Sequence, residues 1–222
     1  MNIIEYSDRE MLAMQVADEL ASELRKCLAT HEFASFAVPG GSSPGEIFEI
    51  LSGIHLDWSR VHVMLTDERW VPEDHERSNT RLVREKLLTG EAAAAPFIPF
   101  YDPDLDPGAG AERASVRLKG ELPLSLLVLG MGSDMHTASL FPGAVGLKAA
   151  MAHHAPPVCA LHPADQEERV SLSAEVLRGA LSTHLLIFGE EKRKALEKAR
   201  HLPAEQAPIA AVLGGGTVHW AP

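Results

Sequence analysis

Asp134 stands two residues before His136 in the glycine-rich run 130–143, which follows the apolar stretch 126–129. An imidazole beside a carboxylate at the end of a predicted strand suits general-base chemistry. Histidine's ordinary pKa of about 6.5 lets it take and return a proton near neutrality. The other histidines show no paired spacing, and those at 153, 154 and 162 fall in Pro/Ala-rich loops. Two further polar segments also follow predicted strands. Gly40-Gly41-Ser42-Ser43-Pro44 follows residues 33–38, and Thr66-Asp67-Glu68-Arg69-Trp70-Val71-Pro72 follows residues 61–65. The glycine-serine segment leads into a helical pattern. It reads either as a phosphate cradle of backbone N–H groups and hydroxyls or as a Ser-capped turn. Pro44 fits the first turn of that helix, where its missing N–H costs nothing. Asp67, Glu68 and Arg69 can hold sugar hydroxyls or form an ion-pair cluster that fixes their own loop. Two cations complete the set. Arg169 opens the stretch 169–173, and Lys192 lies just past residues 184–188. Each is a phosphate ligand or an exposed charge.

The elements that must position these residues are short apolar strands alternating with helical patterns. Strands are predicted over 33–38, 61–65, 126–129, 170–172, 184–188 and 217–220. Near-continuous apolar strands of this kind belong in a mostly parallel sheet covered on both faces. The fold class is therefore α/β, doubly wound. In such a sheet ligands bind outside the carboxyl ends of the strands, where all the polar segments above would gather. Ser7-Asp8-Arg9-Glu10 reads as a capping box with Ser7 as the cap, opening a long helix with Leu12, Val16, Leu20, Leu24 and Leu28 on one face. A helix carrying Leu82, Val83, Leu87 and Leu88 is expected behind Ser78, and a charged one over 190–200. Residues 92–95 and 99–110 read as a surface connection, and residues 1–222 as one domain.

Bulk composition narrows the partners. With 20 Lys plus Arg against 31 Asp plus Glu, the net charge is −11. That disfavours nucleic acid or an anionic membrane, both of which select clustered positive charge. A small anionic substrate remains compatible if a few cations act locally. No stretch approaches the roughly 20 apolar residues of a membrane span. The first residues lack the pattern of a signal peptide, so the expected compartment is the cytoplasm. Two cysteines, Cys27 and Cys159, make no disulfide framework, and neither CxxC nor HExxH occurs. No metal and no cofactor are expected.

Together the segments 40–44, 66–72 with Ser78-Asn79, 130–143, 169–173 and 189–192 resemble the 6-phosphogluconolactonase family, which is related in fold to the glucosamine-6-phosphate deaminases. They occur in the family's order across residues 38–192. The resemblance implies a modified doubly wound fold and metal-free hydrolysis of 6-phosphoglucono-δ-lactone to 6-phosphogluconate, in the oxidative pentose phosphate pathway. It assigns His136 as general base and Asp134 as its acidic neighbour. Gly40, Gly41, Ser42, Ser43, Arg169 and Lys192 fall at phosphate-binding positions, with Asp67 and Arg69 at the pocket's edge. The runner-up is an amino sugar phosphate isomerase/deaminase. The run from His136 to Pro142, and Glu68-Arg69 after Asp67, favour the lactonase. A non-catalytic sugar-phosphate sensor is the remaining alternative. Met135 occupies a position where the family's pattern commonly has glycine. The expectation is that Met135 has negative φ, with its side chain packed away from substrate.

Overall fold

The structure, a computed structural model, describes residues 2–164 and 166–222. The strands are β1 (Asn2–Glu5), β2 (Ala34–Val38), β3 (Val61–Leu65), β4 (Asp67–Arg69), β5 (Phe97–Ile98), β6 (Leu126–Gly130), β7 (Val158–Leu161), β8 (Arg169–Leu172), β9 (Thr183–Phe188) and β10 (Thr217–Ala221). The helices are α1 (Arg9–Leu28), α2 (Gly45–Ser52), α3 (Asn79–Lys86), α4 (Pro107–Arg117), α5 (Leu147–Ala150), α6 (Ala174–Arg178), α7 (Gly189–Ala199) and α8 (Pro208–Val212).

Seven strands form one sheet in the order β1-β10-β9-β6-β2-β3-β5, and each neighbouring pair is parallel. All five residues of β2 are buried, as are the first four of β6. Such strands need cover on both faces, which is why their sequence runs apolar without alternation. The expected doubly wound α/β architecture is present. Its modification is a second, antiparallel sheet, β4-β8-β7, which the sequence did not announce. The expected strand at 170–172 belongs to this smaller sheet. It faces β4, so that Arg69 lies opposite Arg169.

Three local expectations differ. Helix α1 is capped by Asp8, whose carboxylate accepts from the Met11 N–H at 2.8 Å, while the Ser7 hydroxyl donates to Asp8. The start is one residue later than expected, which leaves Glu10 at the second helical position and out of reach of a capping box. Residues 99–110 are not wholly a connection, because Asp106 caps α4 and Pro107 opens it. That pairing is favourable, since a proline at the first helical position loses no hydrogen bond. Pro44 is the cap residue of α2 rather than inside its first turn. No helix among the described residues is long and apolar enough to cross a membrane.

The loops following β2, β3, β6 and β9 all leave the large sheet at its carboxyl edge. The parallel direction of the strands thus brings residues far apart in sequence to one rim.

Candidate active site

At that rim lies a cavity of ≈ 190 Å³. Its lining includes Gly40, Gly41, Ser43, Asp67, Arg69, His136, Arg169 and Lys192. Eight of the ten residues singled out from the sequence therefore share one space. Ser42 instead lines an adjoining depression with Arg9, Ser43 and Phe188. Asp134 is absent from the lining and stands behind His136.

The turn after β6 fixes His136. Its Nδ1 lies 2.5 Å from Asp134 Oδ1, and its backbone N–H reaches the same oxygen at 3.3 Å. An ionised carboxylate at Nδ1 selects the tautomer with the proton there, which leaves Nε2 with a lone pair. Burial by itself would raise Asp134, but the hydrogen bond and charge of His136 outweigh it and hold the carboxyl below its usual range. The imidazole stacks on Phe141, with ring centroids 4.0 Å apart. Arg169 also lies at this aromatic ring, with its guanidinium carbon 4.9 Å from the centroid. Gly132 makes the arrangement possible, because a Cβ there would collide with the His136 ring and the Asp134 carboxylate.

Met135 departs from the expectation. Its φ is +67°, in the left-handed region. Three bonds impose this: Met135 N–H to Gly132 O at 3.0 Å, Gly132 N–H to His136 O at 3.0 Å, and Ile209 N–H to Met135 O at 3.2 Å. A turn closed on both sides leaves its corner residue little choice, so a methionine accepts a conformation that glycine adopts freely. The side chain is half-buried against the core and does not line the cavity.

Asp67 is held by the Ser139 hydroxyl at 2.5 Å and the Thr66 hydroxyl at 3.1 Å. Glu68 points the other way and is fully buried. It accepts backbone N–H bonds from Arg69, Asn79 and Thr80, each at 2.8 Å, and the Ser78 hydroxyl at 3.2 Å. Burial pushes its carboxyl up, while these donors at the start of α3 oppose the shift. Glu68 is thus a clamp between β4 and α3. Asn79, missed as a site residue in the sequence, lines the cavity. Its Nδ2 donates to Asp67 O at 2.8 Å and its Oδ1 accepts from Arg69 at 3.2 Å. Only glycine at 40 leaves room for this amide. Nothing in the spacing of residue 79 marks it; its sequence signals are the helix cap at Ser78 beside it and the place of Ser78-Asn79 in the family resemblance, which gave it no role. Met131, Ala138 and Leu186 also line the cavity, as apolar wall.

Charge in the cavity opposes the charge of the chain, since Arg69, Arg169 and Lys192 face the single carboxylate of Asp67. Burial lowers the Arg169 guanidinium; Asp67 partly restores it, and Arg69 adds to the lowering. Burial also lowers Lys192, with Glu191 opposing and Arg9 reinforcing. Arginine stays charged throughout such shifts. Both Arg69 Nε and Arg169 Nε are buried without a partner among the described residues. The positive charges of Arg69, Arg169 and Lys192, with the uncapped start of α2, can receive an anionic group. Among the described residues, two clusters bring His and carboxylate atoms within ligand reach, Glu19–His184–His219 and His153–His154–Glu175. Neither lines the cavity. The first shows that histidines without paired spacing can still meet, because β9 and β10 are sheet neighbours.

Comparison with known proteins identifies the family and the fold. The family model for glucosamine-6-phosphate isomerases/6-phosphogluconolactonase matches residues 7–220. A 6-phosphogluconolactonase of Pseudomonas aeruginosa is 43% identical over 215 residues, 95% of this chain and 90% of that protein. One from Rhizobium meliloti is 38% identical over 225 residues, 98% of this chain and 97% of its own. The crystal structure of a 6-phosphogluconolactonase from Shewanella baltica superposes with a TM-score of 0.96 at 33% identity, covering 100% of this chain and 98% of that one. With a shared fold and a match running nearly end to end, the chain belongs to the glucosamine-6-phosphate isomerase/6-phosphogluconolactonase family.

Proposed function

We propose that the protein hydrolyses 6-phosphoglucono-δ-lactone to 6-phosphogluconate, with His136 as the general base. The observation that carries this is the Asp134–His136 pair at the rim of a cavity lined by three cations. The phosphate sits among Arg169, Lys192 and the 40–43 loop, and the lactone carbonyl lies toward His136. Nε2 takes a proton from a water molecule as its oxygen attacks the carbonyl carbon. The tetrahedral oxyanion is stabilised by a guanidinium donor, for which Arg69 is placed on the cavity wall. The imidazolium, steadied by Asp134, returns its proton to the ring oxygen as the C–O bond breaks. The acid product ionises, so the net reaction consumes water and releases one proton. No covalent intermediate and no metal is needed for an activated ester.

The test is a pair of assays on the purified protein, one following opening of the phosphorylated lactone and one following ammonia release from an amino sugar phosphate. The expected result is catalysis of the first alone. Ammonia release without lactone opening would assign the protein to the isomerase branch of the family.

A further inference from the structure

Among the described residues the His136 ring has one hydrogen-bond partner, Asp134 at Nδ1. The buried histidine pair beneath α1, His184 and His219, is held more fully. Its rings meet at 2.9 Å, and their outer nitrogens face Glu23, Ser182 and the Tyr6 hydroxyl, with Glu19 of α1 nearby. One bond at Nδ1 leaves the tilt of the His136 ring open, and with it the direction of Nε2. A base that must meet a particular water needs a second constraint.

Phe141 supplies it. Its ring stacks on the imidazole with centroids 4.0 Å apart and 25° between the planes. The same ring carries the Arg169 guanidinium, which the negative face of the aromatic system attracts. One flat side chain therefore touches both the base and a cation of the phosphate site. Phe141 is itself buried and stands behind the cavity lining, so it acts through these two neighbours.

The backbone holds Phe141 in place. Leu140 N–H donates to Thr137 O at 3.0 Å, Phe141 N–H to Ser139 O at 3.1 Å, and Ala144 N–H to Phe141 O at 3.1 Å. This tight turn brings residue 141 back onto His136. The Ser139 N–H ties the turn to β8 by donating to Ser171 Oγ at 3.2 Å. Ser171 is two residues beyond Arg169 on that strand, and so on the same face of it. His136 follows a strand of the large sheet and Arg169 belongs to the small one. Phe141 is a point where the two meet.

We propose that Phe141 is a positioning residue that sets the spacing between the general base and the phosphate-reading cation, resting on the function proposed above. By aiming Nε2 and the Arg169 guanidinium from one surface, it matches them to the two ends of a single substrate. Its loss should therefore reach both turnover and phosphate reading, each through a different neighbour.

The experiment uses Phe141→Leu and Phe141→Met in the full chain. Both fill the space with an apolar side chain but offer no flat face, so either serves if the other fails to fold. Each should lower kcat for the phosphorylated lactone by about 10-fold. By calorimetry each should weaken 6-phosphogluconate by about 3-fold or more, with gluconate unchanged. Double-variant cycles separate positioning from general destabilisation. In a His136→Asn background, assayed with enough enzyme to exceed spontaneous ring opening, the added Phe141→Leu should change kcat less than about 2-fold. In an Arg169→Ala background it should leave 6-phosphogluconate affinity within about 2-fold. Unchanged kcat in a folded Phe141 variant, or the same fold losses in both backgrounds as in the unmodified protein, would overturn the proposal and leave Phe141 as packing alone. Full activity in His136→Asn by itself would instead overturn the general-base reading beneath it.

Discussion

The cavity at the strand ends and the histidine pair beneath α1 both gather polar groups, yet they are assembled in opposite ways. In the cavity the groups come from loops just past β2 and β6, from the short strands β4 and β8, and from the first turn of α7. Cations outnumber carboxylates there, and two guanidinium nitrogens find no protein partner. In the histidine pair the groups come from inside β9, β10 and α1, and every ring nitrogen has a neighbour within 3.3 Å. The first arrangement concentrates positive charge at the rim, as a site for an anionic substrate must. The second closes almost all of it internally and holds three elements together. Excess positive charge at a rim suits a substrate; closed hydrogen bonding between elements suits architecture.

That contrast can be broken by experiment, beginning with the largest effect. His136→Asn should lower kcat by about 10²–10⁴-fold with little change in KM, as expected for a lost general base in steady-state assays. A comparable loss in Glu19→Gln would erase the distinction between the two regions. Next, Arg169→Ala and Lys192→Ala should each weaken 6-phosphogluconate binding by about 10-fold or more, because a charge-assisted contact is worth roughly 1.5–3 kcal/mol. Calorimetry with unphosphorylated gluconate sharpens this, since equal losses for both ligands would remove these cations from the phosphate site.

A smaller effect is expected at Met135. At φ of +67° both Ala and Met are strained whereas Gly is not. Met135→Gly should therefore be more stable than Met135→Ala by about 1 kcal/mol in denaturant unfolding. The reverse order would mean that the turn relaxes to negative φ. The smallest effect concerns chelation, which should leave kcat unchanged. Loss of kcat restored by added metal would place an ion in the chemistry.

The same contrast explains what could be read from the sequence. The segments 40–44, 66–72 and 130–143 are contiguous, each directly behind an apolar run, so strand direction alone predicted that they would meet. The large parallel sheet was legible for the same reason. The antiparallel β4-β8-β7 sheet was not, because β4 spans three polar residues whose strand character comes from pairing with β8. Asn79 was hidden because its role depends on Gly40 making room for it. The left-handed Met135 was misjudged from residue type, where backbone bonds from Gly132, His136 and Ile209 decide. His184 and His219, 35 positions apart, carry no local signal; their meeting follows only from β9 and β10 being neighbours.

The central claim is that the cavity's cations read a phosphate while His136 opens a lactone. The most direct measurement is kcat/KM for 6-phosphoglucono-δ-lactone against glucono-δ-lactone, in the unmodified protein and in the Arg169→Ala, Lys192→Ala double variant. Two charge-assisted contacts should favour the phosphorylated lactone by about 10²-fold or more, and the double variant should lose most of that preference. Equal efficiency toward both lactones in the unmodified protein would contradict the claim.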